Sequence, residues 1–255
     1  MFQISELHKS YGKKPILKGV DLVVDTGTVQ ALLGANGAGK STLIHCISFL
    51  IPFEKGEVFI DDEKITFKSN TYRSKVGYIL EKPIYIDKFS AREYLHFVAD
   101  LYKISKQDAK LRVSELLQFL DLPQDDNKYI ESYSKGMKNK VSLAAALIHK
   151  PSYLILDEPF DGMDFMSVRK ISKLLKDMAA KGATILVTSH QFDVIADIAD
   201  KFALLKEGKI FFNLTMDALS AKASEKFSED KTPLKSYLES VMSEEGNNNQ
   251  LSWIS

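Results

Sequence analysis

A single cysteine, Cys46, leaves this chain without an internal disulfide framework and suits a reducing compartment. It sits in an apolar run, where a buried structural thiol is expected. Charge of one sign is also missing. Lys plus Arg and Asp plus Glu both total 34, for a formal net charge of zero. That total argues neither for nor against nucleic acid, which only a local basic patch would signal. No stretch approaches the run of about 18 apolar residues that crosses a bilayer as a helix. The opening Met1-Phe2-Gln3-Ile4-Ser5-Glu6 lacks the charged-then-apolar order of a signal peptide. A cytoplasmic protein is expected, held at a membrane only by something else. Internal repeats are absent, and His8, His45, His96 and His149 have no ligand-like spacing.

What is present is an ordinary globular composition, 45% apolar over 255 residues, enough for one large domain or two small ones. Val29–Leu33, Tyr153–Leu156 and Thr184–Thr188 are short, largely apolar runs of the kind buried on both faces of a sheet. Each meets a polar cluster and then a helical pattern, the order of a parallel sheet with helices on both sides. Phe2–Tyr11, Ile16–Asp25 and Glu57–Ile65 instead suggest antiparallel, hairpin-forming strands. Between about 83 and 150 strand signals vanish. Ser90-Ala91-Arg92-Glu93 is a capping-box pattern that opens a helix through Tyr102. Asp108–Leu120 carries Val113, Leu116, Leu117 and Leu120 on one face. Lys138–His149 predicts a third helix, stopped by Pro151. This helical segment, inserted between strands, predicts a subdomain. From about Asn213 the chain turns polar. There Leu234, Tyr237, Leu238 and Val241 predict one amphipathic helix, and a disordered tail is expected after it.

Gly34-Ala35-Asn36-Gly37-Ala38-Gly39-Lys40-Ser41-Thr42 fits G-x-x-x-x-G-K-[ST] between a predicted strand and a helical run. Glycines let successive backbone N–H groups turn inward on phosphates, and the helix start adds its positive end. Lys40 would reach the β- and γ-phosphates of ATP, and the Ser41 hydroxyl would ligate Mg2+. Tyr153-Leu154-Ile155-Leu156-Asp157-Glu158 supplies a Walker-B candidate, with Asp157 near the metal at the strand's carboxyl end. Glu158, one residue on, faces another way and is placed to polarise an attacking water.

Ser132-Tyr133-Ser134-Lys135-Gly136-Met137 resembles the signature motif of ATP-binding-cassette (ABC) ATPases in its Tyr-Ser-Lys-Gly-Met form. Tyr11 is similarly placed to the family's adenine-stacking aromatic, Asp161-Gly162-Met163-Asp164 to its D-loop, and Ser189-His190 to its switch histidine. The resemblance runs from about residue 2 to 212. It implies an α/β P-loop NTPase with a RecA-like core, an antiparallel β subdomain and a helical insert, with residues 213–255 as a C-terminal extension. It further implies a head-to-tail dimer around two ATPs. Ser134 and Gly136 of one copy would contact the γ-phosphate held by Lys40 of the other, and Asp164 would act across the interface. His190 would contact the γ-phosphate in cis. Backbone N–H groups at a helix start suit that anion-binding role.

Three positions depart from the family's common pattern. Glu81 stands where a Q-loop glutamine is usual; a carboxylate can still ligate magnesium. Lys135 replaces the first signature glycine, adding a cation expected near the opposing phosphate. Lys140 replaces a common arginine and loses bidentate geometry. The resemblance implies the ATP-hydrolysing subunit of a transporter, with a separate membrane permease as partner, and by analogy an exporter. A soluble member acting on ribosomes or DNA is a second reading. One P-loop and a short span from Lys40 to Ser134 disfavour it, and no nucleic acid partner is expected. A binding-only subunit is a third, suggested by Glu81 and Lys135 and opposed by Glu158 and His190.

Overall fold

A computed structural model describes residues 1–82, 85–124, 127–189, 192–228, 230 and 232–242, with backbone alone at Asn70 and Thr71. Strands β1 (Phe2–Tyr11) and β2 (Lys14–Val24) pair antiparallel from Phe2 opposite Val24 to Tyr11 opposite Lys14, with register shifts after Ile4, Leu7 and Lys9. Phe2, Ile4, Leu7, Val20, Leu22 and Val24 are buried, and the shift after Ile4 lets Leu7 join the core despite its odd spacing. Strand β3 (Val29–Leu33) runs through the glycine-rich loop into helix α1 (Lys40–Ile47). Strands β4 (Lys55–Ile60) and β5 (Glu63–Ile65) complete a four-stranded sheet of order β2-β1-β4-β5.

The chain then crosses to a second sheet through α2 (Asn70–Lys75) and β6 (Val76–Ile79). Helices α3 (Ala91–Leu101), α4 (Lys106–Phe119) and α5 (Lys135–Leu147) form the insert. The chain returns as β7 (Tyr153–Asp157), α6 (Phe165–Ala180), β8 (Thr184–Thr188) and α7 (Phe192–Ala196). Strands β9 (Lys201–Lys206) and β10 (Lys209–Thr215) precede α8 (Met216–Lys226) and α9 (Pro233–Met242). The six-stranded order is β10-β9-β3-β8-β7-β6. Only the β10–β9 pairing in it is antiparallel.

Residues alternate between two cores across this sheet. Leu32, Tyr153 and Ile155 join α1 and the antiparallel sheet on one side. Ala31, Leu33, Leu154 and Leu156 join the insert, α6, α8 and α9 on the other. The P-loop helix is therefore clamped between two sheets, while the insert packs on the opposite face.

The Ser90 capping box forms as expected: Glu93 N–H donates to Ser90 Oγ at 3.1 Å, and Ser90 N–H to Glu93 Oε2 at 2.8 Å. The next two helices begin earlier than predicted. Helix α4 starts at Lys106 because Ser105 Oγ caps Asp108 N–H at 3.1 Å. Helix α5 starts at Lys135, and not Lys138, because Ser134 Oγ caps Met137 N–H at 3.2 Å. The change in composition at Asn213 falls inside β10, and α9 buries Tyr237, Leu238 and Val241 as its pattern predicts. The tail expected beyond it lies outside the described residues.

Candidate nucleotide site

The phosphate loop needs glycine where backbone and neighbours leave no alternative. Gly39 has φ of 106°, and a Cβ there would lie 3.1 Å from both Ile16 Cγ2 and Leu17 Cδ2. As the residue before α1 it offers no side-chain cap, so the first-turn N–H groups of α1 stay open for an anion. Lys40 is 7% exposed, and its ammonium donates to Gly34 O at 2.7 Å and Ala35 O at 3.1 Å. Burial pulls its pKa below the ordinary lysine value, against the attraction of Glu158, Asp157 and Glu81. A cavity of about 440 Å³ opens here, lined by Asn36, Gly37, Gly39, Lys40, Ser41 and Thr42, together with Lys14, Ile16, Glu81 and Glu158.

The carboxylates arrive from two neighbouring strands. Glu81 follows β6, and Ser41 Oγ donates to its Oε2 at 3.4 Å, which turns it into the cavity. Asp157 closes β7 and is 1% exposed. Its Oδ1 accepts from Thr188 Oγ1 at 2.6 Å, and its buried Oδ2 has no hydrogen-bond partner. Glu158 sits at φ of 50°, a conformation sparse for residues with a Cβ, and its N–H donates to Thr188 Oγ1 at 3.0 Å. Thr188 was not foreseen: a threonine inside an apolar strand reads as ordinary β-branched packing. The available signal was its place on the strand running toward Ser189-His190.

No group of three or more His, Cys, Asp or Glu gathers as a metal cage among the described residues. Magnesium at a nucleotide needs none, since it binds through one or two carboxylates, waters and phosphate oxygens. The orphaned Asp157 Oδ2 and the Ser41–Glu81 pair fit that demand.

Ser134, Gly136 and Asp164 line no part of this cavity. They meet each other through the signature and D-loop segments. A Cβ on Gly136 would stand 2.2 Å from Gly162 O. Asn139 Nδ2 donates to Asp161 O at 2.8 Å, and Lys140 lies 3.9 Å from Asp164. Asp164 caps α6 by accepting from Ser167 N–H at 2.9 Å, and the Ser167 hydrogen bonds hold its carboxyl below the usual range.

Residues 17–161 match the family described as ABC transporter. The chain belongs to the ABC transporter family. It is 33% identical to the linearmycin resistance ATP-binding protein LnrL of Bacillus subtilis, over 82% of this chain and 68% of that protein. It is 34% identical to the methionine import ATP-binding protein MetN 1 of Yersinia pestis, over 92% of this chain and 69% of that protein. Among solved structures, a dimeric ATP-binding cassette in a post-hydrolysis state with ADP and Pi superposes with a TM-score of 0.77 at 26% identity. That likeness covers 85% of this chain and 99% of the other. This chain is thus an ATP-binding ABC ATPase subunit.

In this ABC cassette Lys135 is bound to the Asp161 carboxylate of its own chain. Tyr11 is 52% exposed at the end of β1, opposite the cavity-lining Lys14, with Lys9 Nζ 5.4 Å from its ring centre. His190 lies outside the described residues. His149 stacks on Tyr102 with ring centres 3.9 Å apart and contacts Val76 O at 3.2 Å.

Proposed function

We propose that this chain hydrolyses Mg-ATP as a pair with a second copy of itself and thereby drives a separate membrane permease that exports its substrate. The observation that carries this reading is a division of labour within one chain. Lys40, Ser41, Glu81 and Glu158 line one cavity, with Asp157 buried next to Glu158 in the chain, while the exposed Ser134 and Asp164 flank the buried Gly136 on a separate surface. Such a surface gains a phosphate only from a partner, and the dimeric cassette with ADP and Pi supports that arrangement.

In this mechanism Gly34, Asn36, Gly37, Ala38, Gly39 and Thr42 wrap the phosphates with backbone N–H groups, and Tyr11 stacks on adenine. Lys40 neutralises β/γ charge. Ser41, Asp157 and Glu81 would hold Mg2+, which when bound offsets charge on the phosphate oxygens. Glu158 takes a proton from water as the new bond to the γ-phosphorus forms and the bond to the ADP oxygen breaks. His190 contacts the γ-phosphate in cis, and the partner copy supplies signature N–H groups.

No helix among the described residues is long and apolar enough to cross a membrane. The insert exposes Phe97 and Leu101 on α3, and Ile86 before it. Apolar residues grouped on a surface suit a protein partner, so the permease docks there and holds the chain at the cytoplasmic face. Export is supported by the Tyr-Ser-Lys-Gly-Met signature and by the resistance role in the name of LnrL. Pull-down of the tagged chain from detergent-solubilised membranes should recover a multi-spanning protein. Inside-out vesicles bearing both should then accumulate that permease's substrate when given ATP. Recovery of ribosomes without any membrane protein contradicts the reading, and ATP-driven uptake in right-side-out vesicles alone contradicts export.

A further inference from the structure

We propose that Thr188 is a positioning residue that sets Asp157 and Glu158 into their separate tasks through one hydroxyl. The proposal rests on the reading of Asp157 as metal ligand and Glu158 as base. A threonine hydroxyl carries one proton and two lone pairs. Here the proton goes to Asp157 Oδ1 at 2.6 Å, and a lone pair receives Glu158 N–H at 3.0 Å. Both bonds form at a fully buried side chain, where water cannot substitute for the hydroxyl.

Two consequences follow from that single contact. Asp157 Oδ1 is engaged, so the partnerless Oδ2 becomes the oxygen left for a cation. Glu158 is held by its N–H in a left-handed conformation, φ of 50°, that turns its side chain away from the strand direction set by Asp157. The distances are not left to side-chain chance. Asp157 and Thr188 are register partners in the parallel β7–β8 pair, and a β-branched side chain has few χ1 choices. A valine at this position keeps the shape and loses the contact.

The test uses the full-length chain with Thr188→Val, Thr188→Ser and Thr188→Cys, alongside Glu158→Gln. Thr188→Val should slow single-turnover ATP hydrolysis by about 10²-fold, the scale set by misplacing reacting groups by about 1 Å. Mn2+ affinity, read by electron paramagnetic resonance with a non-hydrolysable ATP analogue, should fall by roughly 10–100-fold, as for other outer-shell partners of a metal. ATP affinity without metal should stay within about twofold, because Lys40 and the loop are untouched. Thr188→Ser should recover most of both losses, and Thr188→Cys, a weak donor of similar size, should show both in smaller measure. Unchanged hydrolysis or unchanged Mn2+ affinity in Thr188→Val overturns the proposal. So does a loss of metal-free ATP binding in step with both, which marks a merely structural residue. If Thr188→Val does not fold, wild-type values in Thr188→Cys overturn it instead. A fully active Glu158→Gln removes the base reading and this proposal together. An inactive Glu158→Gln beside a fully active Thr188→Val removes this proposal alone.

Discussion

The start of α1 and the start of α5 are built alike and are tied to the molecule differently. Each presents the N–H groups of a first helical turn beside glycine. Helix α1 has no side-chain cap, and its first turn opens into a cavity with a buried lysine and carboxylates. Helix α5 is capped by Ser134 and fastened to the segment 161–164 through Lys135, Gly136, Asn139 and Lys140. On the proposed reading, one end receives phosphate within its own chain. The other is tied by those side chains to the segment that follows Asp157 and Glu158. On that reading, a phosphate arriving from a second copy would press on the same short stretch that carries the two carboxylates.

That contrast breaks first at Lys40. Lys40→Ala should weaken ATP binding by about 10²-fold or more, since charge-assisted bonds contribute roughly 1.5–3 kcal/mol each. Near-normal affinity in a nucleotide titration removes the assignment of the α1 pocket. Gly136→Val attacks the other region. Its Cβ would collide with Gly162 O, so hydrolysis should fall on the order of 10²-fold through misplacement. ATP affinity of the isolated chain should hold. Equal losses in both measurements would mean that the two regions are not separable.

Glu81 lies where the pocket meets the path into the insert, with Ser41 Oγ on its carboxylate. Glu81→Gln should shift the Mg2+ concentration for half-maximal hydrolysis by several-fold, with ATP affinity in the absence of metal little changed or modestly higher. Superimposable Mg2+ titrations, alone and with the proposed permease, would make Glu81 a bystander.

The smallest effect belongs to His149, just beyond the end of α5. Burial lowers the pKa of His149, Val76 O opposes this and the nearby Arg112 charge reinforces it. The folded ring therefore stays neutral where the unfolded one, near pKa 6.5, takes up a proton. Stability contributed by the neutral ring is full above that value and is lost as pH falls through the folded pKa. The melting temperature should drop by a few degrees between about pH 7.5 and about pH 5.5. His149→Gln should flatten that slope, and identical slopes would exclude the ring as the cause.

The α1 pocket was legible in the sequence because its chemistry is contiguous: directly after the strand Val29–Leu33, glycine loop, lysine and hydroxyl follow one another in nine residues from Gly34 to Thr42. The apolar strands β3, β7 and β8 declared themselves by composition, and the Ser90 box by spacing. The start of α5 was less legible, since Lys135-Gly136 breaks the apolar period and only the Ser134 cap reveals the helix. The Lys135–Asp161 pair was hidden because the two residues are distant in sequence and adjacent only in the fold. Strands β9 and β10 lay outside the predicted set, although Phe202–Leu205 are buried. Thr188 required the register of two strands to be known.

Two half-sites that meet only across a pair demand an ATP-dependent dimer. Light scattering of Glu158→Gln, with and without Mg-ATP, should show a monomer without nucleotide and a dimer with ATP, reversed by adding Gly136→Val to the same chain. A dimer of equal strength with and without ATP, or one indifferent to Gly136→Val, would contradict it.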